Sequence, residues 1–323
     1  MEKELLYPMQ LSVNCRSALW GGNRMRDTFG IETNIKNIAE AWLLSARGEM
    51  PSFVVNGDRM GEMLPMLLCE DPTLIAKNAS ADTSLPLLVK FIDARDTLSI
   101  QVHPDDAYAS AQAGEPNGKT ELWVVLEAAP MAAIMLDTKR ALTKDELQAA
   151  IDNGTVADEM QTVFVKAGDV FYLPAGTLHA IGGGILLAEI QENSDLTYRV
   201  SDFGRVSENG EARTLHIEDA LAVAKHYTEQ EREALRFAKG KDEHTLANTD
   251  KFCVKKYTVS DKKDFSVDER FASLVVLAGR GAITHNGVTY LISAGDSYFL
   301  PAGMGAYTIS GSPAIEVLIS MAN

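Results

Sequence analysis

The sequence predicts a mainly β protein that contains two related barrels and a small helical insertion. Two observations carry this prediction. Residues 165–181 (VKAGDVFYLPAGTLHAI) have the pattern of a β-strand between two tight turns, because Gly168 and Gly176 flank residues of high strand propensity. Residues 292–309 (ISAGDSYFLPAGMGAYTI) repeat this pattern, and a match of that extent indicates an internal duplication.

The first copy of the repeat places a histidine at the start of the next strand. Its spacing of Gly168, Pro174, Gly176 and His179 resembles the second motif of the cupin superfamily, whose small jelly-roll barrels often hold a metal. Gly183 stands where that motif ends in asparagine. The resemblance implies two cupin-type jelly-roll barrels. The alternative is an ordinary β-turn followed by a structural histidine.

Residues 86–106 predict two further strands, over 87–92 and 98–103, around a polar turn. In the second strand Ser99, Gln101 and His103 alternate with apolar residues and therefore share one face. In a closed barrel that face can be the lumen, where polar groups need a partner or a ligand. The alternative is the solvent face of an open sheet.

A helical insertion is predicted near residues 139–161. Thr143 and Glu146 have the spacing of a capping box, and Asn153-Gly154 is typical of a helix end. The charged segment 229–251 indicates either a boundary region or a surface helix. We therefore predict a catalytic barrel over residues 1–240 and a second barrel over 241–323. The second is predicted to be free of metal, because Ala306 stands at the position of His179.

Composition narrows the classes of function. A chain of 323 residues with 46% hydrophobic and 23% charged residues is typical of a globular protein of about two domains. Its net charge of -15 argues against a nucleic-acid partner, and an anionic substrate would need a local basic pocket. Neither an apolar run of membrane-spanning length nor a signal peptide is found, so we expect a cytoplasmic protein without a membrane partner. No oligomeric state is predicted.

Four polar residues at strand ends or on one strand face could form a metal site. Gln101, His103, Glu121 and His179 offer an amide oxygen, two imidazoles and a carboxylate, which suit zinc with positions left open. Iron and manganese are chemically possible. Taken alone, Glu121 is more typical of a solvated charge.

Six motifs together resemble the type I mannose-6-phosphate isomerases in their shorter bacterial form. They cover most of the chain: SALWGG (17–22), AEAWLLS (39–45), LSIQVHPDD (98–106), GKTELW (118–123), LPAGTLHAI (173–181) and QENSDLTYRV (191–200). The resemblance implies an aldose–ketose isomerase with one zinc per chain. It would interconvert mannose 6-phosphate and fructose 6-phosphate, a small sugar phosphate, through an enediol.

The resemblance also implies roles for individual residues. The zinc ligands would be Gln101, His103, Glu121 and His179, and the active-site arginine would be Arg199. Ser99 and Lys119 would lie on the phosphate side, and Glu189 and Asp195 would line the pocket. Short bacterial members usually continue from YRV with an aromatic residue, Asp, an aromatic residue, Asp and Arg. This chain has SDFGR (201–205), so Ser201 and Gly204 indicate an altered pocket shape, while Arg205 is present.

Isomerisation requires a proton to move between C2 and C1, so a base with a pKa near neutrality is needed. Glu189, Lys119 and hydroxide on the metal are the candidates. Lys119 and Arg205 are the nearest positive groups for the phosphate. Two other functions compete with the isomerase: another metallocupin enzyme such as an oxygenase, and a non-catalytic sugar-binding or regulatory protein.

Overall fold

The computed structural model describes residues 6–206, 209–231 and 244–323. Within them the chain forms three antiparallel β-sheets connected by loops and short helices, which confirms the predicted mainly β class. The strands are β1 (Met9–Gln10), β2 (Asn14–Gly22), β3 (Ile38–Leu44), β4 (Leu87–Ala94), β5 (Ile100–Val102), β6 (Glu121–Ala128), β7 (Ala133–Thr138), β8 (Met160–Phe164), β9 (Val170–Leu173), β10 (His179–Ile181), β11 (Ile185–Glu192), β12 (Tyr198–Ser201), β13 (Thr245–Asn248), β14 (Phe252–Val259), β15 (Lys262–Val267), β16 (Ala272–His285), β17 (Val288–Ser293), β18 (Ser297–Leu300) and β19 (Gly305–Ala322).

The helices are short. They are α1 (Arg24–Phe29), α2 (Leu64–Glu70), α3 (Asp106–Tyr108), α4 (Lys144–Asp152), α5 (Val156–Glu159) and α6 (Ile217–Val223), with a 3₁₀ turn at Pro72–Leu74 and a π-helical turn at Ala109–Ala113. No helix in the part of the chain that the structure describes is long and apolar enough to cross a bilayer.

Two sheets face each other in the first part of the chain. One has six strands in the order β2-β3-β4-β11-β6-β9, and the other has five in the order β12-β5-β10-β7-β8. A buried apolar cluster fills the space between them, with Ile92 and Trp123 from the first sheet and Ile134, Leu136 and Ile181 from the second. The two layers agree with the predicted first barrel.

The predicted helical insertion is confirmed between β7 and β8. The Thr143 hydroxyl accepts a hydrogen bond from the Glu146 backbone N–H at 3.2 Å, and the Glu146 carboxylate accepts one from the Thr143 N–H at 2.8 Å. This reciprocal capping box satisfies two backbone donors at the start of α4. Leu147 and Ile151 on α4 are buried in the cluster that also contains Leu178, so the insertion supports the turn before His179.

The third sheet has eight strands and lies mostly in the last part of the chain. Its main order is β1-β18-β16-β19-β14-β13, and β15 and β17 pair with β19 and β16. β1 joins this sheet because Met9 pairs with Phe299 on β18. Phe91 from the six-stranded sheet and Phe299 share one buried cluster, so the two sheets pack together. The predicted boundary between residues 240 and 241 lies outside the described residues, and the division there stays a prediction.

A lysine connects the last part of the chain to the strands of the first part. Lys251 Nζ lies 2.8 Å from Glu192 Oε1 at the end of β11 and 2.5 Å from Asp106 Oδ2. The other carboxylate oxygen of Glu192 accepts a hydrogen bond from the Thr120 backbone N–H at 2.9 Å. We call this arrangement the Lys251 bridge.

Candidate active site

Strand register brings the predicted metal ligands together. Gln101 on β5 pairs with His179 on β10, which begins directly after the turn that Gly176 permits with φ +92°. His103 follows the end of β5, where Pro104 has no N–H to continue the ladder. Glu121 opens β6 on the facing sheet.

Three of these residues form a compact buried cluster. Candidate ligand atoms of His103, Glu121 and His179 all lie within 4.8 Å of one another. His103 Nε2 is 3.3 Å from Glu121 Oε1, and His179 Nε2 is 3.8 Å from Glu121 Oε2. All three side chains are buried. A cluster with this geometry could hold a metal ion.

Backbone carbonyls orient both imidazoles. Nδ1 of His103 donates a hydrogen bond to the Leu196 carbonyl at 2.7 Å, and Nδ1 of His179 donates one to the Thr177 carbonyl at 2.9 Å. Each ring therefore carries its proton on Nδ1 and turns the Nε2 lone pair towards Glu121. His103 Nε2 is buried and finds no hydrogen-bond partner among the described residues. An orphaned acceptor in such a position fits a metal ion.

Gln101 lies beside the cluster. Its Nε2 is 3.3 Å from His179 Nε2, and its Oε1 accepts a hydrogen bond from the Ser99 hydroxyl at 3.3 Å. Rotation of the amide by half a turn would present the oxygen to the same space. Burial lowers the pKa of His179 to about 3, so the ring is neutral and able to ligate.

A lysine and a second carboxyl group border the cluster. Lys119 Nζ is 2.5 Å from Glu121 Oε1 and 3.8 Å from Glu189 Oε1. Burial alone would lower the pKa of the Lys119 ammonium, but Glu121 and Glu189 outweigh that effect and raise it. Burial and the negative charge of Glu121 raise the pKa of Glu189 to about 7. A carboxyl group with that pKa can exchange protons near neutral pH.

Lys119, Glu189 and Gln101 face one cavity of about 330 Å³. Seventeen residues line it: Arg16, Ser17, Ala18, Trp20, Glu40, Lys90, Ile92, Leu98, Ser99, Gln101, Lys119, Ile181, Glu189, Asp195, Thr197, Arg199 and Arg213. Five of them are basic and three are acidic, so basic residues are in excess here in a chain whose net charge is -15. The cavity is therefore the local basic pocket that an anionic substrate would need.

Comparison with known proteins identifies the family. Residues 8–123 match the family profile of the phosphomannose isomerase type I catalytic domain, and residues 242–320 match that of the mannose-6-phosphate isomerase cupin domain. The chain is 37% identical to the mannose-6-phosphate isomerase of Streptococcus mutans, over 98% of each chain. The chain belongs to the type I mannose-6-phosphate isomerase family.

Two further relatives agree with this membership. The chain is 35% identical to a probable mannose-6-phosphate isomerase of Bacillus subtilis, over 98% of this chain and 99% of the relative. The crystal structure of a B. subtilis mannose 6-phosphate isomerase superposes with a TM-score of 0.87 at 32% identity, over 97% of this chain and 99% of the other. Membership in the type I mannose-6-phosphate isomerases confirms the predicted cupin fold class and the isomerase assignment.

Most of the predicted substrate-binding residues of this isomerase line the cavity, and one does not. Ser99, Lys119, Asp195 and Arg199 line the cavity, whereas Arg205 is not among the lining residues. Arg205 instead bonds to Asp202 and to the Thr97 carbonyl. Lys119 lies in contact with Glu121, a predicted metal ligand, so it stands on the part of the cavity wall next to the candidate metal cluster.

Sequence reasoning missed a buried charge network behind Glu189. Lys90 Nζ lies 3.3 Å from Glu40 Oε2, 3.3 Å from Asp195 Oδ1 and 3.9 Å from Glu189 Oε1. Burial alone would raise the pKa of Asp195, but Lys90 and Arg16 outweigh it and lower that pKa to about 2. One signal could have revealed the network: a lysine inside the apolar strand LLVKFI is costly unless carboxylates pair with it.

Proposed function

We propose that this chain interconverts mannose 6-phosphate and fructose 6-phosphate in a metal-dependent reaction. One observation carries the proposal: the cavity is lined by Glu189, whose pKa is raised to about 7, and by Lys119 and Gln101, which contact Glu121 and His179 of the buried candidate metal cluster. Family membership supports the choice of reaction. A phosphorylated sugar as substrate agrees with the cytoplasmic location that the sequence predicts.

We infer that the ion is one zinc per chain, held by Gln101, His103, Glu121 and His179. Two neutral imidazoles, a carboxylate and an amide oxygen suit this borderline metal. When bound, zinc would act as a Lewis acid that stabilises negative charge on the sugar oxygens. The orphaned Nε2 of His103 supports an ion at this place.

Glu189 is our assignment for the base. As a carboxylate it would accept the C2 proton of open-chain mannose 6-phosphate and return it to C1 of the enediol, while the hydroxyl proton on O2 passes to O1, so no net proton is consumed. Trp123 Nε1 donates a hydrogen bond to Glu189 Oε2 at 2.9 Å, which fixes the position of the carboxylate. Lys119 is the weaker candidate, because its raised pKa keeps it protonated. Its charge would instead stabilise the enediolate.

The remaining predicted roles divide by position. Ser99 and Asp195 would contact sugar hydroxyl groups, since both line the cavity. Arg199 would supply a fixed positive charge, because a guanidinium stays protonated. Arg205 is proposed to act through Asp202. We retain the proposal of a catalytic part over residues 1–240 and a metal-free part over 241–323.

The first experiment tests reaction and metal together. Isomerisation of mannose 6-phosphate is measured before and after chelation, and then with zinc, manganese or iron added back. We expect activity to disappear with the chelator and to return best with zinc. Activity that survives complete removal of metal, verified by elemental analysis, would contradict metal dependence. If manganese or iron restores activity better than zinc, the assignment of zinc is wrong but metal dependence stands.

A second experiment tests the base. Glu189→Gln should reduce kcat by about 10²- to 10⁴-fold without loss of bound metal, since general-base catalysis has that size. Glu127→Gln, on the neighbouring strand β6 and outside the cavity lining, is the matched control and should retain activity. If Glu189→Gln turns over at the wild-type rate, Glu189 is not the base.

A further inference from the structure

Positive charge accumulates at the end of the cavity that is lined by Arg199 and Arg213, which we call the outer end. Arg213 donates from Nε to Asp202 Oδ2 at 2.8 Å and also bonds to Asp202 Oδ1, which Arg205 shares. Arg199 lies close enough that burial and the charge of Arg213 lower the pKa of its guanidinium. The carboxylate of Asp202 is therefore the counter-charge for three guanidinium groups, and two positive charges remain uncompensated within this cluster.

The rest of the cavity wall has a different charge balance, because its cations are paired with carboxylates. Each of the other three cations on the cavity wall faces at least two carboxylates within 4 Å: the buried Lys90 faces Glu40, Asp195 and Glu189, the buried Lys119 faces Glu121 and Glu189, and the partly exposed Arg16 faces Glu40 and Asp195. A phosphate dianion placed there would meet these carboxylates as well as the cations. The outer end is the place where a phosphate would relieve repulsion between like charges.

The two outer arginines that line the cavity differ in their partners. Arg199 donates from Nη1 to the Thr214 carbonyl at 2.9 Å, and its buried Nε has no hydrogen-bond partner in the described part of the chain. Arg213 uses Nε and Nη2 on Asp202 and is about one third exposed at 34%. Both lie on the cavity wall. Their guanidinium groups can bind one anion from two directions.

We propose that Arg213, together with Arg199, binds the phosphate group of the substrate and that Asp202 positions Arg213 for this contact. The inference rests on the proposed function, since it orients the sugar phosphate with its reacting carbons at the metal cluster and its phosphate at the outer end. It replaces the expectation from the sequence that Lys119 and Arg205 would bind the phosphate. Arg205 then is a positioning residue, because it holds Asp202 and the Thr97 carbonyl.

The test separates phosphate binding from catalysis. KM and kcat for mannose 6-phosphate and the inhibition constant of inorganic phosphate are measured for wild type, Arg213→Gln and Arg213→Lys. Arg213→Gln should raise KM and weaken phosphate inhibition by about tenfold or more, because a charge-assisted contact is lost, while kcat changes less than threefold. Arg213→Lys should have a KM and a phosphate inhibition constant between those of wild type and Arg213→Gln, since a point charge replaces a bidentate group.

Controls distinguish the possible failures. Arg140→Gln removes an exposed arginine that pairs with Glu146 on the helical insertion, and it should leave KM and phosphate inhibition unchanged. Asp202→Asn should raise KM less than Arg213→Gln, because the arginine remains. If Arg213→Gln does not fold, KM and the phosphate inhibition constant of Arg213→Lys and Asp202→Asn decide whether Arg213 binds the phosphate.

The outcomes also separate this inference from the proposed function. Unchanged KM and unchanged phosphate inhibition in a folded Arg213→Gln or Arg213→Lys variant would overturn the assignment of Arg213. Loss of kcat with constant KM would do the same. If the wild-type protein does not isomerise mannose 6-phosphate, the proposed function fails, and calorimetric titration with inorganic phosphate still decides whether Arg213 binds a phosphate.

Discussion

Replacement of Lys251 by methionine should destabilise the protein more than loss of an ordinary surface ion pair. Methionine keeps most of the length and apolar volume of the lysine and removes its charge. Glu192, whose side chain is 8% exposed, then loses its counter-charge and keeps the hydrogen bond from the Thr120 N–H. A buried carboxylate without a counter-charge is costly.

The expected size follows from the exposure of the three side chains. Lys251 is 27% exposed, Asp106 46% and Glu192 8%, so the bridge lies between a surface pair and a fully buried pair. Surface pairs contribute at most about 1 kcal/mol, and breaking a fully buried pair costs about 3–5 kcal/mol. We expect a loss of about 2 kcal/mol in the free energy of unfolding, or a decrease in Tm of about 3–5 °C.

Thermal and urea unfolding of the metal-loaded protein measure this loss. The matched control is Lys256→Met on β14, which removes a pair with Glu316 at 2.7 Å between side chains that are each about one third exposed, and it should cost less than about 1 kcal/mol. The double variant Lys251→Met with Glu192→Gln should recover part of the loss, because the unpaired charge is gone while an amide oxygen can still accept from Thr120. Equal losses in Lys251→Met and Lys256→Met would refute the reasoning.

Three further predictions follow from single contacts. Turnover should rise as the pH passes through about 7 and then level off, because the Glu189 carboxyl is protonated below that pKa and cannot accept a proton; a flat kcat between pH 6 and 8 would contradict this. Gly182→Ala should lower Tm by several degrees, since its Cβ would lie 1.9 Å from the Ala133 carbonyl oxygen, whereas Gly48→Ala meets nothing within 4 Å and should unfold like wild type. Thr143→Ala should cost about 1 kcal/mol in urea unfolding through loss of the cap of α4; no loss would mean that the cap is dispensable.

Candidate metal ligands could be predicted from the sequence because the patterns that point to them lie within single strands and turns. A period of two on β5 places Gln101 and Ser99 on one face, and the turn at Gly176 fixes the start of β10. Short-range geometry thus supplies each ligand at a strand end. The same holds for the capping box of α4, whose two residues are three positions apart.

The charge network could not be predicted because it depends on pairing between distant strands. Lys90 reaches Glu189 through the register of β4 with β11, and it reaches Glu40 through β3. Neither register can be read from one strand alone. Arg213 was missed for a related reason: it lies beyond β12 in an irregular segment, and only the folded chain returns it to the cavity through Asp202.

The pairing of β1 with β18 has a consequence for the order in which the chain assembles during synthesis. Met9 leaves the ribosome early, but its partner Phe299 is made close to the end of translation. Until then the edge of β1 that pairs with β18 has no native partner. The facing sheets of the first part can form beforehand, whereas the eight-stranded sheet is completed only after translation has reached its last strands. Such long-range pairing favours slow closure of the eight-stranded sheet.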